Sequence, residues 1–215
     1  MTWVEPLQSA NWFQATGCLL GAYFLGCLAT GYHLVRWRTG RDIREIESGS
    51  TGARNVSRVL GRPGFGLTVL GDFGKGALAV WGASAWTHNH HLAALAMLAV
   101  VAGHIWPAPL LFRGGKGVAT SLGALLALDY RVALTFAALF LAGLALTRRS
   151  VLPGMFAFAS VPLASLWFEH DGLTATLAAI SSALILFAHR RNFIEEIALW
   201  SARRGAATET GSTKL

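Results

Sequence analysis

The chain has 215 residues, of which 53% are hydrophobic and only 13% charged, with eight tryptophans and a mean hydropathy of +0.48. A soluble globular domain carries roughly twice that charged fraction, about 25%, so the composition excludes an ordinary soluble enzyme. It describes an all-α, polytopic integral membrane protein.

Apolar runs cover 12–35, 64–86, 92–112, 118–128, 132–147, 151–168 and 172–188. The long runs meet the roughly 20 residues that cross a bilayer once tilt and flanking residues are allowed for. The 118–128 run is short and depends on its neighbours. The predicted architecture is about seven transmembrane helices in a single domain over 1–204. The small, polar stretch 205–215 reads as a disordered cytoplasmic tail. Met1–Asn11 has no basic residues, and the run after it is too long for a signal peptide.

Arg36, Arg38, Arg41, Arg44, Arg54, Arg58 and Arg62 crowd the connection after the first run. Arg113 and Lys116 follow the third run, Arg148 and Arg149 the fifth, and Arg190, Arg191, Arg203, Arg204 and Lys214 the seventh. The segments 1–11, 87–91 and 169–171 have no Lys or Arg, and 129–131 has only Arg131. Seven alternating spans put every basic connection on one face, which the positive-inside rule makes cytoplasmic. The N-terminus is then outside and the C-terminus inside. The net charge of +7 reads as topology and attraction to anionic lipid, with no nucleic-acid partner.

The first basic connection runs from Gly40 to Gly61. Its Ser48–Gly52 core is turn-forming, and Ser50 or Thr51 suits the start of a helix near Gly52. Val56, Val59 and Leu60 form one face of that helix, with Asn55 and Arg58 on another. A short interfacial or re-entrant helix would hold Arg44, Ser48, Asn55 and Arg58 near the membrane surface. The alternative is a basic loop that only binds anionic lipid. Asp72 and Lys75 lie in the second run at the i,i+3 spacing of an ion pair, and their cost in a bilayer favours a wet, functional site over a structural pair.

In the third run, Pro107 is expected to kink the helix, with His104 about two turns from the next loop. That loop, Phe112–Thr120, sets glycines 114, 115 and 117 around Lys116 at the start of an apolar helix. Bare glycines let backbone amides converge on an anion, and the lysine and the helix dipole add positive charge. It is not a Walker A loop, because Leu110 and Gly117 occupy positions that need Gly and Ser or Thr. A plain turn with a snorkelling lysine is the competing reading. Arg148 adds an anion contact or an anchor. His88, His90 and His91 lack acidic or cysteine company for a metal, and Cys18 and Cys27 have no metal-ligand spacing. Neither a nucleophile elbow nor a zinc motif is present.

Together these segments resemble the bacterial acyl-phosphate:glycerol-3-phosphate acyltransferase family, the membrane enzymes of the PlsY type. Gly40, Asp42, Arg44, Ser48, Gly49, Gly52, Ala53, Asn55, Arg58 and Gly61 fit its first motif in register. Asp72, Lys75 and Gly76 fit the segment after it. Gly103, His104, Pro107 and Phe112–Thr120 fit the second motif, with Arg113 in place of Lys. His189 and Asn192 fit the third. The resemblance covers about residues 15–192. It implies seven helices with the active site at the cytoplasmic face of a bacterial inner membrane. It also implies acyl transfer from acyl phosphate to the 1-hydroxyl of sn-glycerol 3-phosphate, without cofactor or metal.

On this resemblance, Lys116 and the 114–117 amides hold one phosphate, while Arg44, Ser48, Asn55 and Arg58 serve the other or orient glycerol. His104, His189 and Asn192 organise the site, and Asp72, Lys75 and Arg148 support phosphate binding. The chain departs from the family pattern at Cys27 (Ser), Ala29 (Pro), Glu47 (Gly), Ser50 (Asn) and Arg54 (Thr). It departs again at Val151 and Gly154 (Ser), at Ala188 (Arg) and in the Phe193–Ile197 continuation. These departures keep open a membrane homologue that binds anionic lipid or phosphate without turnover. A transporter with Asp72 and Lys75 in its pathway ranks third.

Overall fold

The first apolar run breaks near its middle. In the computed structural model, which describes residues 12–168, 171–196 and 198, it forms α1 (Trp12–Cys27) and α2 (Thr30–Thr39), separated at Leu28 and Ala29. Gly40 ends α2 in the left-handed region (φ 70°), where glycine has no steric penalty, and its N–H donates to the Arg36 carbonyl. The Asp42 carboxylate accepts from the Arg44 N–H and opens a 3₁₀ turn over Ile43–Glu45. The N-terminal segment 1–11 and the 205–215 tail lie outside the described residues.

α3 (Ala53–Thr87) merges the predicted interfacial helix with the second span. The two parts meet at Gly61, whose φ of 66° and ψ of −159° interrupt the helix two residues before Pro63. Gly52 is the N-cap. Ser50 acts one step earlier than a capping side chain would, its hydroxyl accepting from the Gly52 N–H at 3.2 Å.

α4 (His90–Ile105) starts on the Asn89 side chain, which accepts from the His91 and Leu92 amides. Pro107 does not kink it. The helix stops two residues earlier, and Pro107 opens a 3₁₀ turn at Ala108–Leu110. α5 (Val118–Leu128), α6 (Tyr130–Thr147), α7 (Val151–Trp167) and α8 (Gly172–Ala188) follow. A last helix, α9 (Arg190–Glu196), is bent 56° from α8. Trp12–Thr39, His90–Leu110 and Tyr130–Thr147 are each long and apolar enough to cross a membrane. The α8–α9 pair is a bent fourth candidate, and α5 and α7 are shorter apolar helices.

α3 packs along α5 and α1 along α4, while α6, α7 and α8 follow in turn and α8 returns to α4. The α3–α5 crossing is backbone against backbone: a side chain at Gly76 would meet the Thr120 carbonyl, and one at Gly123 the Phe73 carbonyl. Met97, Val100, Val101, Ala124, Phe136 and Phe158 fill the main core. A second, small core of Val35, Ile43 and Val56, flanked by Val59 and Leu60, lies under the first connection. Large apolar side chains such as Trp81, Leu134, Leu141, Leu163 and Trp167 face outward.

The break after α1 strands carbonyls that a continuous helix would use, where the bilayer offers no water to satisfy them. Lys75 supplies the missing donors. Its Nζ donates to the Gly26 carbonyl at 2.9 Å and the Leu28 carbonyl at 2.7 Å, and pairs with Asp72 at 3.1 Å. Lys75 is 5% exposed and Asp72 3%. The pair, expected at a wet phosphate site, is buried between the helices and braces the break after α1. Lys75→Met uncaps the break and leaves Asp72 as a lone buried charge, so it should cost about 3–5 kcal/mol of stability. Adding Asp72→Asn should restore part of the loss. Thermal unfolding in detergent checks both, and an unchanged midpoint in Lys75→Met contradicts the brace.

Candidate active site

The two polar connections, far apart in sequence, are bonded into one structure. The Thr51 N–H donates to the Gly114 carbonyl at 3.3 Å, and the Arg44 Nη1 donates to the Leu110 carbonyl at 2.7 Å. The Arg113 Nη2 donates back to the Arg44 carbonyl at 3.4 Å. Arg44 also pairs with Asp42 at 2.6 Å and lies over the Tyr32 ring. The guanidinium holds the Asp42 carboxyl below its ordinary range, and Asp42 in turn raises Arg44. Arg44, expected in the chemistry, is instead engaged on several sides as the strut between the loops.

Asn55 is likewise engaged by backbone. It is buried, and its amide Nδ2 donates to the carbonyls of Ile43, Ile46 and Ser50 at 2.9–3.1 Å. It holds the first connection folded over the small core, which leaves Ser48 exposed at the tip of the turn.

In the glycine turn, the amides expected to converge on an anion divide into two groups. Gly114 N–H donates to the Ile105 carbonyl at 3.2 Å and Gly115 N–H to the His104 carbonyl at 3.0 Å. Both amides are therefore engaged. Their glycines are required by close approach, since a side chain at Gly115 would overlap the His104 ring and one at Gly114 the His104 carbonyl. The amides left for an anion are those of Lys116, Gly117 and the first turn of α5, where Gly117 is the left-handed N-cap at φ 85°. Those N–H groups point out of the helix start with its positive dipole end.

His104 is not two turns away; it lies directly under the loop. It is 4% exposed, and its Nδ1 is 3.7 Å from Asp72 Oδ1. Its ring packs against Gly115, leaving no room for a side chain there. Tyr23 secures the same end of α4, its hydroxyl donating to the Trp106 carbonyl at 2.9 Å.

Lys116, half-buried, points from the turn to the start of α9, where its Nζ donates to Asn192 Oδ1. Burial lowers its pKa from the ordinary lysine value. The Glu195 carboxylate opposes that shift, and Arg54 and Arg58 add to it. These side chains therefore form one electrostatic cluster with Lys116. His189 joins it at the end of α8. Burial lowers its pKa, the Ile185 carbonyl opposes the shift and Lys116 adds to it. Its Nδ1 is 2.9 Å from that carbonyl. A carbonyl only accepts, so Nδ1 carries the hydrogen, and Nε2 of the neutral ring is left as an acceptor.

Arg148 is exposed and serves as the left-handed cap of α6. Its neighbour Arg149 makes the ion pair that ties this turn to α9, reaching Glu196 at 2.5 Å. The sequence reading missed Arg54 and Glu195. Both were detectable as helix neighbours, Arg54 four residues before Arg58 and Glu195 three after Asn192.

Apolar helices around a buried charged brace, capped by two joined loops and a cluster of cationic side chains, define an integral membrane protein with a basic site at one end. The chain matches the family model described as glycerol-3-phosphate acyltransferase over residues 16–198. It is 44% identical over 186 residues to glycerol-3-phosphate acyltransferase 1 of Desulfitobacterium hafniense (strain Y51), covering 86% of this chain and 92% of that protein. It is 44% identical over 175 residues to glycerol-3-phosphate acyltransferase of Synechococcus sp. (strain JA-2-3B'a(2-13)), covering 81% and 86%. The fold is similar to the crystal structure of PlsY, an integral membrane glycerol 3-phosphate acyltransferase, in its glycerol 3-phosphate form. The TM-score is 0.80 at 31% identity, over 86% of this chain and 92% of that one. The lysophosphatidic acid form gives a TM-score of 0.77 at 29% identity, with the same coverage. The chain belongs to the glycerol-3-phosphate acyltransferase family.

The Lys116 environment makes a signed prediction. After reductive ¹³C-methylation, the Lys116 resonance should titrate below the free lysine range of about 10.4. Glu195→Gln removes a charge that favours the ammonium, so it should move that titration to still lower pH. An ordinary lysine titration, or an upward shift in Glu195→Gln, contradicts the cluster.

Proposed function

We propose that this protein transfers a fatty acyl group from acyl phosphate to the 1-hydroxyl of sn-glycerol 3-phosphate, giving lysophosphatidic acid and inorganic phosphate. The observation that carries the reading is the meeting of Lys116, from the glycine turn, with Asn192, His189 and the cations Arg54 and Arg58. Both substrates carry phosphate, and this is the part of the molecule with the means to hold it. Family membership supports the acceptor. For the donor, the support is that the loops offer anion contacts and no feature that selects a nucleotide.

A mixed anhydride is already activated, so the protein's tasks are positioning and charge stabilisation. The hydroxyl oxygen attacks the acyl carbon. The bond from that carbon to the phosphate oxygen breaks, phosphate leaves with the electron pair, and the hydroxyl proton passes to a phosphate oxygen. Lys116 and the amides before α5 stabilise the charge on the departing phosphate. His189 Nε2 orients the attacking hydroxyl, exposed Ser48 helps hold the acceptor, and exposed Arg58 holds one of the two substrate phosphates.

The proposed setting is a bacterial inner membrane, crossed seven times with the N-terminus outside. The one-sided arginines support a site at the cytoplasmic face. The competing reading, a homologue that binds without turnover, rests on the departures at Cys27 and in the third motif, at Ala188 and Phe193–Ile197. Lys116→Ala should reduce turnover at least about a hundredfold, the scale on which one preorganised electrostatic donor acts. Its thermal midpoint should change little, and Lys116→Arg should recover only part of the rate. A folded Lys116→Ala protein with near-normal turnover contradicts the assignment.

A further inference from the structure

One residue of the first connection stands against the phosphate chemistry proposed above. Glu47 Oε2 is 3.3 Å from Arg58 Nη1, so a carboxylate occupies the guanidinium that would otherwise face a substrate phosphate. The pair is open to water, with the Arg58 side chain 46% exposed and that of Glu47 60% exposed. An ion pair in that setting adds little to stability. Glu47 also adopts φ 50°, a left-handed conformation that costs a residue with a Cβ and that glycine adopts freely. Asn55 holds the turn in this shape from beneath by bonding the Ile43, Ile46 and Ser50 carbonyls. The carboxylate is thus presented to Arg58 at a conformational cost, with little return in stability.

The other cations of the site contrast with Arg58. Arg44 is bound to Asp42 and to the Leu110 carbonyl at 15% side-chain exposure, a fixed strut. Lys116 rests on the neutral Asn192 amide oxygen. Among these three, Arg58 is the cation whose charged partner is open to water and can swing aside.

We propose that Glu47 is an internal counter-ion that competes with a substrate phosphate monoester for Arg58, and so sets the affinity of the site for that substrate. The inference rests on the assignment of Arg58 to phosphate binding. Before substrate arrives, Glu47 neutralises Arg58. Phosphate, with more charge and more acceptor oxygens, displaces the carboxylate into water. Removing the carboxylate strengthens substrate binding and leaves the acyl-transfer step to Lys116 and His189.

The test is two-substrate steady-state kinetics on purified full-length protein, varying glycerol 3-phosphate and acyl phosphate in turn, for wild type, Glu47→Gln, Glu47→Gly and Arg58→Ala. Glu47→Gln should lower one KM about three- to tenfold, with the change falling on KM rather than kcat. The KM that moves identifies which phosphate Arg58 binds. Glu47→Gly should lower the same KM and also raise the thermal midpoint, because glycine relieves the left-handed backbone. In an Arg58→Ala background, Glu47→Gln should have no effect. If Arg58→Ala raises a KM but Glu47→Gln leaves it unchanged or raises it, the counter-ion role is overturned while the phosphate assignment stands. If Arg58→Ala changes neither KM, the assignment itself falls, and the counter-ion role with it.

Discussion

The structure depends on one buried ammonium. A polypeptide crossing a bilayer has to satisfy its carbonyls internally, and the break at Leu28–Ala29 violates that rule unless a donor comes from another helix. Lys75 provides it, and Asp72 balances its charge in the same dry space. A pair of charges that is unfavourable in hydrocarbon is held here because the alternative is unsatisfied backbone. Asp72 then faces His104, and His104 carries Gly115 on both its ring and its carbonyl. From the break in the first span, a continuous set of contacts reaches the base of the glycine turn.

Above that base, the two loops divide the work in a way that residue type alone does not reveal. Arginine is suited to fork-shaped anions, yet Arg44 uses its fork on Asp42 and a backbone carbonyl and so locks one loop to the other. Lysine is a mobile point charge, and Lys116 rests on a neutral amide oxygen, from which a phosphate can draw it away. Strut and ligand are separated by what each cation already touches.

Much of the fold was legible in the sequence because bilayer length, one-sided arginines and glycine-rich turns leave local marks. The helix start at Gly52 and the Asp72–Lys75 pair both lie within motifs that can be seen in the chain. The break at 28–29 was not legible, because Leu28 and Ala29 are as apolar as their neighbours and the donor that permits the break is on α3. The Gly114 and Gly115 amides carried no sign of being bonded, since their acceptors are the last carbonyls of α4. The support roles of Asn55 and Arg44 depend on contacts with Ser50, Ile43 and Leu110 that form only after folding. Glu195 is marked locally by its place three residues after Asn192, but its approach to Lys116 depends on the α8–α9 bend.

The proposed reaction draws on a preactivated donor. The measurement that tests this most directly is a ³¹P balance on the purified protein in detergent or nanodiscs, supplied with acyl phosphate and glycerol 3-phosphate. The account predicts one inorganic phosphate released for each lysophosphatidic acid formed, with no product when acyl-CoA replaces acyl phosphate. Binding of both substrates without phosphate release, or equal product from acyl-CoA, would contradict it.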